Sequence, residues 1–414
     1  MNRSRKLVAG LGDAAVAALG TFLAGIVAVR ELPTVSLAVY AVVFSASVLA
    51  MLLPRQLHYI PAQIAANLLD RVASPLVARD VRRAAGVNAL MAVVIVLIAL
   101  SLVSRAPVWV CLSLGVTAAA YALVSPVQDH IRAALHLVDR HMSAAVLSIV
   151  TTAVVAVSSG IALLNPHTWW LVFIPFGGLT LGNAVAVLVG LRLLASADMH
   201  REYEQAPLAD RLRFLFSEVA LQAAWFGCNY SILFLLGPLA LAHLETARVV
   251  ASPVMIVVTA LLTFMGPAML RKLQPTPENP HGPRRDLLTI FGMLAAITVV
   301  YLAALALFGP LVATVLNKPF DLALWTARLG STLIEGSAGI AAFLVFAMGR
   351  TKVALANSFV GGGVGLGATV GLSFVLGPFA LPFGQALGML YRLGSSVVVL
   401  EREVQRTPAV PASA

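Results

Sequence analysis

The sequence predicts an all-α, polytopic membrane protein of about twelve transmembrane helices; a repeat between its halves and the charges inside its spans arrange these as two parallel six-helix lobes around a central cavity. Three observations lead to the membrane helices. Of the 414 residues, 60% are hydrophobic and only 11% are charged, with a mean hydropathy of +0.92. A soluble domain carries about 25% charged residues, so this chain cannot clothe a large globule in charge. The apolar residues come in repeated runs of about 20, the length at which a helix crosses the hydrocarbon core while satisfying its own backbone. Finally, basic residues alternate between successive loops.

The spans follow in order. The first, 8–29, comes after Arg3, Arg5 and Lys6 and is interrupted early by Asp13, so it reads as a retained helix and not a cleaved signal. The second, 35–54, starts after "ELP" and closes at Arg55. Spans 85–104, 107–128, 142–164 and 169–191 complete an N-terminal half, residues 1–195. The polar stretch "SADMHREYEQAPLADRLRFLF" holds a cytoplasmic linker at 196–212. Spans 214–235, 244–270, 287–309, 322–348, 353–376 and 380–400 form the second half, 213–401, with a tail at 402–414.

Charge orients these spans. The N-terminus, the even-numbered loops and the C-terminal end, Arg392 included, hold 23 of the 28 Lys and Arg residues. The odd-numbered loops hold only Arg30, Arg105 and Lys318, and Arg248 and Arg328 lie within spans. Such a bias places both termini in the cytoplasm and the chain in the cytoplasmic membrane. It also accounts for the net charge of +10: topology signals and contact with anionic lipid headgroups, with no nucleic-acid partner. Cys111 and Cys228 sit in apolar spans as small core residues.

The halves carry a repeat. Asp13 and Glu218 lie 205 residues apart, as do Pro33 and Pro238. "DRHMSAAVLSIV" (139–150) aligns with "GRTKVALANSFV" (349–360) at an offset of 210, matching Arg, Ala, Ser and Val. With an even number of spans in each half, the halves share one orientation, as in parallel-repeat transporter folds.

Ionisable residues inside spans cost at least ~2.5–3.5 kcal/mol each and tend to face a cavity or a partner. Arg328 and Glu335 stand seven residues apart in "TARLGSTLIEGSAG", on one helical stripe and about 10 Å apart. That is too far for a direct ion pair without long side chains or water. They read as a polar stripe lining a cavity, or as two residues each paired with another helix. Glu245 and Arg248, at i,i+3, can pair with each other or leave Arg248 facing cargo. Glu218, Gln222 and Asn229 share a face, so Glu218 is expected to face the cavity more surely than Asp13. Both acids suit either a helix start, where negative charge complements the dipole, or ion coupling. His130, His136 and His141 lack metal-ligand spacing and read as the amphipathic end of the fourth helix. No phosphate loop, GxSxG or HExxH is present, so neither an enzyme nor a cofactor is expected. "VGGGVGLGATVG" reads as a close-packing or flexible helix.

These motifs resemble the Wzx-type polysaccharide flippases of the multidrug/oligosaccharidyl-lipid/polysaccharide (MOP) export superfamily. The matching parts are Gly12-Asp13, Arg30 before the Pro33 turn, and Arg55 closing a tyrosine-bearing second helix. "QDHIRAALHLVDRHMSAAV" carries Asp129 and Arg132, and "LGPLALAHLETARVVASP" carries Arg248 and Pro253. Two positions depart from the family's pattern, Thr21 and Leu32. The resemblance implies a flippase for a polyprenyl-pyrophosphate-linked oligosaccharide, serving surface polysaccharide export by alternating access. It implies Arg55, Arg248 and Arg328 as substrate-binding residues, and Asp13, Glu218 and Glu335 as coupling-ion sites, with Gln222 and Asn229 beside them. It makes Asp129 and Arg132 a cytoplasmic gate. The partners are the lipid-linked glycan, membrane lipids, and a glycan polymerase or glycosyltransferases. Two rivals stand beside it: a cation-coupled multidrug exporter of the same superfamily, and a non-transporting scaffold of a glycan-assembly complex.

Overall fold

The computed structural model describes residues 3–59, 76–137, 140–166, 168–195, 208–271 and 284–406. Among them are twelve long helices and no strand. They are α1 (Arg3–Glu31), α2 (Thr34–Pro54), α3 (Leu76–Ser101), α4 (Val108–Leu137), α5 (His141–Leu164) and α6 (Ile174–Ala195), then α7 (Leu208–Leu235), α8 (Pro238–Arg271), α9 (Arg284–Leu316), α10 (Leu322–Ala347), α11 (Thr351–Leu376) and α12 (Ala380–Arg406). Ten described segments are long and apolar enough to cross a membrane, and the last, Thr351–Arg402, contains both α11 and α12. Helix α7 falls outside those ten because Glu218, Gln222 and Asn229 interrupt its apolar stretch. Most of the linker expected at 196–212 lies outside the described residues.

Local chemistry sets the helix ends. Pro238 starts α8 six residues before the predicted span, since proline suits a first turn that needs no N–H. Asp321 caps α10, its carboxylate accepting from the Leu324 N–H at 2.9 Å. Asn317 ends α9 in the left-handed region, φ 52°. Its N–H donates to the Thr314 carbonyl, and the Lys318 N–H donates to Ala313. Helix α4 continues to Leu137, beyond the predicted end at 128, and so carries Asp129, Arg132 and His136 on one stripe.

The packing repeats itself. In the N-terminal lobe α1 packs on α5, α5 on α6, α6 on α4, and α4 on α2 and α3. In the C-terminal lobe α7 packs on α11, α11 on α12, α12 on α10, and α10 on α8 and α9. The lobes meet through α1 on α8, α2 on α7 and α2 on α8, the contact set that a pseudo-twofold axis along the bundle generates. Peripheral α3 and α9 show the bilayer their large apolar side chains, among them Leu90, Val93, Val300 and Leu307. The main core lies where the lobes meet, built from small and branched residues such as Ala28, Val39, Val42, Ala247 and Val250. Together these features describe a multi-pass membrane protein.

Candidate functional site

A cavity of about 380 Å³ opens in the N-terminal lobe at the even-loop ends of α1, α2 and α4. Asp13, Arg55, Asp129 and Arg132 all line it, so the structure unites four predicted site residues from three helices. Helix α1 delivers Asp13 to its floor, 3% exposed. The Ser148 hydroxyl of α5 donates to Asp13 Oδ1 at 2.5 Å. His136 Nε2 lies 2.7 Å from Oδ2, and Arg132 Nε lies 3.9 Å from it. Arg132 is held in turn by Asp129 at 3.2 Å and by the Ser148 hydroxyl at 3.3 Å. His136 Nδ1 sits 2.9 Å from His141 Nδ1, a distance that leaves room for a single proton between the rings. Both carboxylate oxygens of Asp13 are therefore engaged. Arg55, at the start of a π-helical turn ending α2, is exposed at the same cavity and makes no ion pair among the described residues.

A smaller cavity of about 230 Å³ adjoins it between α1 and α8, sharing Ala18 and Thr21. Arg248 lines this one. Of the two possibilities open for Glu245 and Arg248, the structure takes self-pairing: the guanidinium donates to both Glu245 oxygens, at 2.8 and 2.6 Å. It also lies 4.4 Å over the Phe44 ring. A buried carboxylate and an aromatic face thus hold Arg248 in place.

The remaining candidates lie apart. Glu218 was expected to face the cavity more surely than Asp13, and the structure reverses this. Asp13 lines the cavity, while Glu218 lines neither described cavity and pairs with buried Arg392 of α12 at 3.1 Å. The reason lies in Arg392, counted with the cytoplasmic end by its charge but folded inside α12, 5% exposed. Asn229, on the same face of α7 as Glu218, reaches the other lobe instead, donating to the Ser45 hydroxyl at 2.6 Å. Gln222 is half-buried between them. Arg328 is buried between α10 and α12 and donates to Gln385 Oε1. Glu335 is half-buried on the same stripe, and no ion pair joins it to Arg328 among the described residues.

Sequence reading missed Ser148, His136, Gln385 and Arg392 as partners. Two had a signal. His136 continues the stripe of Asp129 and Arg132 by one turn. Ser148 is matched to Ser358 by the repeat, and the match is structural: Ser148 bonds Asp13 of α1, and Ser358 bonds Ser217 of α7 at 2.9 Å.

No protein-family model and no curated protein matches this chain. Solved structures do. One is described as the inward-facing conformation of a multidrug resistance MATE family transporter of the MOP superfamily. It aligns with a TM-score of 0.70 at 13% identity, over 96% of both chains. The outward-facing conformation of a transporter so described aligns at 0.67 and 14% identity, over 98% of this chain and 95% of the other. A MOP superfamily transporter from Pyrococcus furiosus, described as having a binding pocket whose reverse polarity suggests a different function, aligns at 0.66 and 15%, over 98% and 95%. The helix order, the paired lobes and these alignments over nearly the whole length lead to one conclusion: the chain has the twelve-helix, two-lobe fold of these transporters.

Proposed function

We propose that this protein is a membrane transporter working by alternating access, and that its cargo is a polyprenyl-pyrophosphate-linked oligosaccharide moved from the cytoplasmic to the outer leaflet. One observation carries the choice of cargo. In the N-lobe cavity the acid that would attract a cation, Asp13, is taken up on both oxygens, whereas the exposed guanidinium of Arg55 is free of carboxylates among the described residues. Guanidinium groups bind phosphate oxygens in bidentate fashion, so this cavity suits an anionic headgroup better than a cationic one. The resemblance of the Asp13, Arg55, Asp129–Arg132 and Arg248 segments to polysaccharide flippases supports the same reading. In it the pyrophosphate enters at Arg55, the glycan occupies the opening, and the polyprenyl tail stays in the bilayer. The Asp129–Arg132 pair serves as the gate, and Arg248 and Arg328 offer later contacts. Asp13, Glu218 and Glu335 are the coupling-ion candidates, with Gln222 and Asn229 beside Glu218. The termini and even-numbered loops lie on the cytoplasmic side.

A second reading, cation-coupled drug export, is favoured by a different observation. Tyr40, Phe44, Tyr121 and Phe176 form an aromatic cluster with ring centroids 5.1–6.4 Å apart, and Tyr121 reaches the cavity wall. Proteoliposomes separate the two. Arg55→Glu should abolish flipping of a fluorescent polyprenyl-pyrophosphate glycan and leave the protein folded. Wild-type flipping by Arg55→Glu, together with gradient-driven uptake of a cationic dye by the unmodified protein, would transfer the assignment to drug export.

A further inference from the structure

The odd-numbered loops contain three basic residues, Arg30, Arg105 and Lys318, against the charge bias of the rest of the chain. Each of them faces the opposite lobe. Arg30 ends α1, and its Nη1 donates to the Val315 carbonyl of α9 at 2.8 Å. That carbonyl is available for a reason: the left-handed turn at Asn317 uses the Thr314 and Ala313 carbonyls and leaves Val315 pointing out of the helix. A cation there also meets the negative end of the α9 dipole. Glu31 accepts from Arg30 Nε at 3.1 Å and lies within electrostatic reach of Lys318, just beyond α9. Burial lowers the Lys318 ammonium from its ordinary range, and Glu31 opposes that shift.

The second seam is built alike. Arg105 follows α3 as Lys318 follows α9, and its guanidinium lies 4.7 Å over Phe234 in the last turn of α7, the helix equivalent to α1. So the end of α1 meets the end of α9, and the end of α7 meets the end of α3, as the pseudo-twofold requires. Both clamps lie at the odd-loop ends, whereas the Asp13 cavity lies at the even-loop ends.

We propose that these two clamps, Arg30–Glu31 on Val315–Lys318 and Arg105 on Phe234, are the latch that closes the odd-loop face and must open before cargo can leave there. The functional consequence rests on alternating access, while the latch itself depends on neither the cargo nor the direction of transport. It also explains why these three charges are kept on the side that topology disfavours.

The test uses the full-length protein with Cys111 and Cys228 replaced by alanine and spin labels on the odd-loop ends of α2 and α8. Their distance is read by pulsed electron resonance in nanodiscs. Loss of Arg105 should raise the odd-side-open population roughly threefold, the worth of an exposed cation–π contact. Loss of Arg30 should raise it about fivefold, as for a helix-end charge with one charge-assisted bond. Arg30→Ala with Arg105→Ala should approach the product of the two, since the sites are separate. An unchanged distance distribution in the folded double variant overturns the latch. A second variant guards against misfolding: cysteines at 30 and 315, bridged by a bifunctional thiol reagent, should stop transport until the bridge is cleaved. Undiminished transport with the bridge closed overturns the latch as well. If the bridge stops transport of a cationic dye and no glycan is flipped, the cargo reading fails and the latch stands.

Discussion

Replacing Gly384 with alanine should destabilise the protein far more than the same change at Gly363, although both glycines lie in the glycine-rich last third of the chain. Helix α12 meets α11 backbone to backbone. A Cβ on Gly384 would stand 2.6 Å from the Thr369 nitrogen and 2.8 Å from its Cα, and one on Gly388 would stand 3.0 Å from the Gly365 Cα. Ordinary contacts begin near 3.4 Å, so α12 must retreat by about 0.8 Å at Gly384, against backbone that no rotamer change can move. Overpacking of this kind costs ~1–3 kcal/mol. At Gly363 nothing lies within 4 Å, and alanine should gain about 0.5–1 kcal/mol from helix propensity. The expected gap between the two variants is therefore ~1.5–4 kcal/mol. Intrinsic-fluorescence melting in detergent measures it. Equal melting temperatures for Gly384→Ala and Gly363→Ala would refute the close approach of α11 and α12 as the reason for these glycines.

Three further outcomes are expected. Cysteine labelling in a background lacking Cys111 and Cys228 should find residues 166 and 378 reachable from outside intact cells and residue 203 protected; labelling at 203 by an impermeant reagent would break the twelve-span topology. Asp13→Asn should impair transport more than Glu218→Gln at matched expression, because Asp13 joins Ser148, His136 and Arg132 at the cavity while Glu218, among the described residues, bonds Arg392 alone; wild-type transport by both variants would remove either acid from coupling. Arg328→Ala should lower the melting temperature, and adding Glu335→Ala should not restore it, because the guanidinium bonds Gln385 of α12 and not Glu335; restoration in the double variant would reveal a water-bridged pair instead.

Much of the fold follows from the sequence because its causes are local. A run of apolar residues must bury its backbone polar groups as helix wherever it meets lipid, so all twelve helices begin within about ten residues of the predicted spans and most far closer; loop charge counts helices without any contact being known. Side-chain partnership is not local. Asp13 and Glu218 occupy matching places in the repeat with similar chemistry, yet one floors a cavity and the other bonds Arg392. That difference arises from α4, whose extra turns bring Arg132 and His136 over Asp13, and from α12, which carries a buried arginine 174 residues from its acid. The three odd-loop cations show the same division. Their number and side were readable from composition, as exceptions. Only the crossing of α1 over α9 and of α7 over α3 decided that Arg30 would find a vacant helix carbonyl and Arg105 an aromatic ring, because a guanidinium's partner is set by what the packed lobes bring within about 3–5 Å of it.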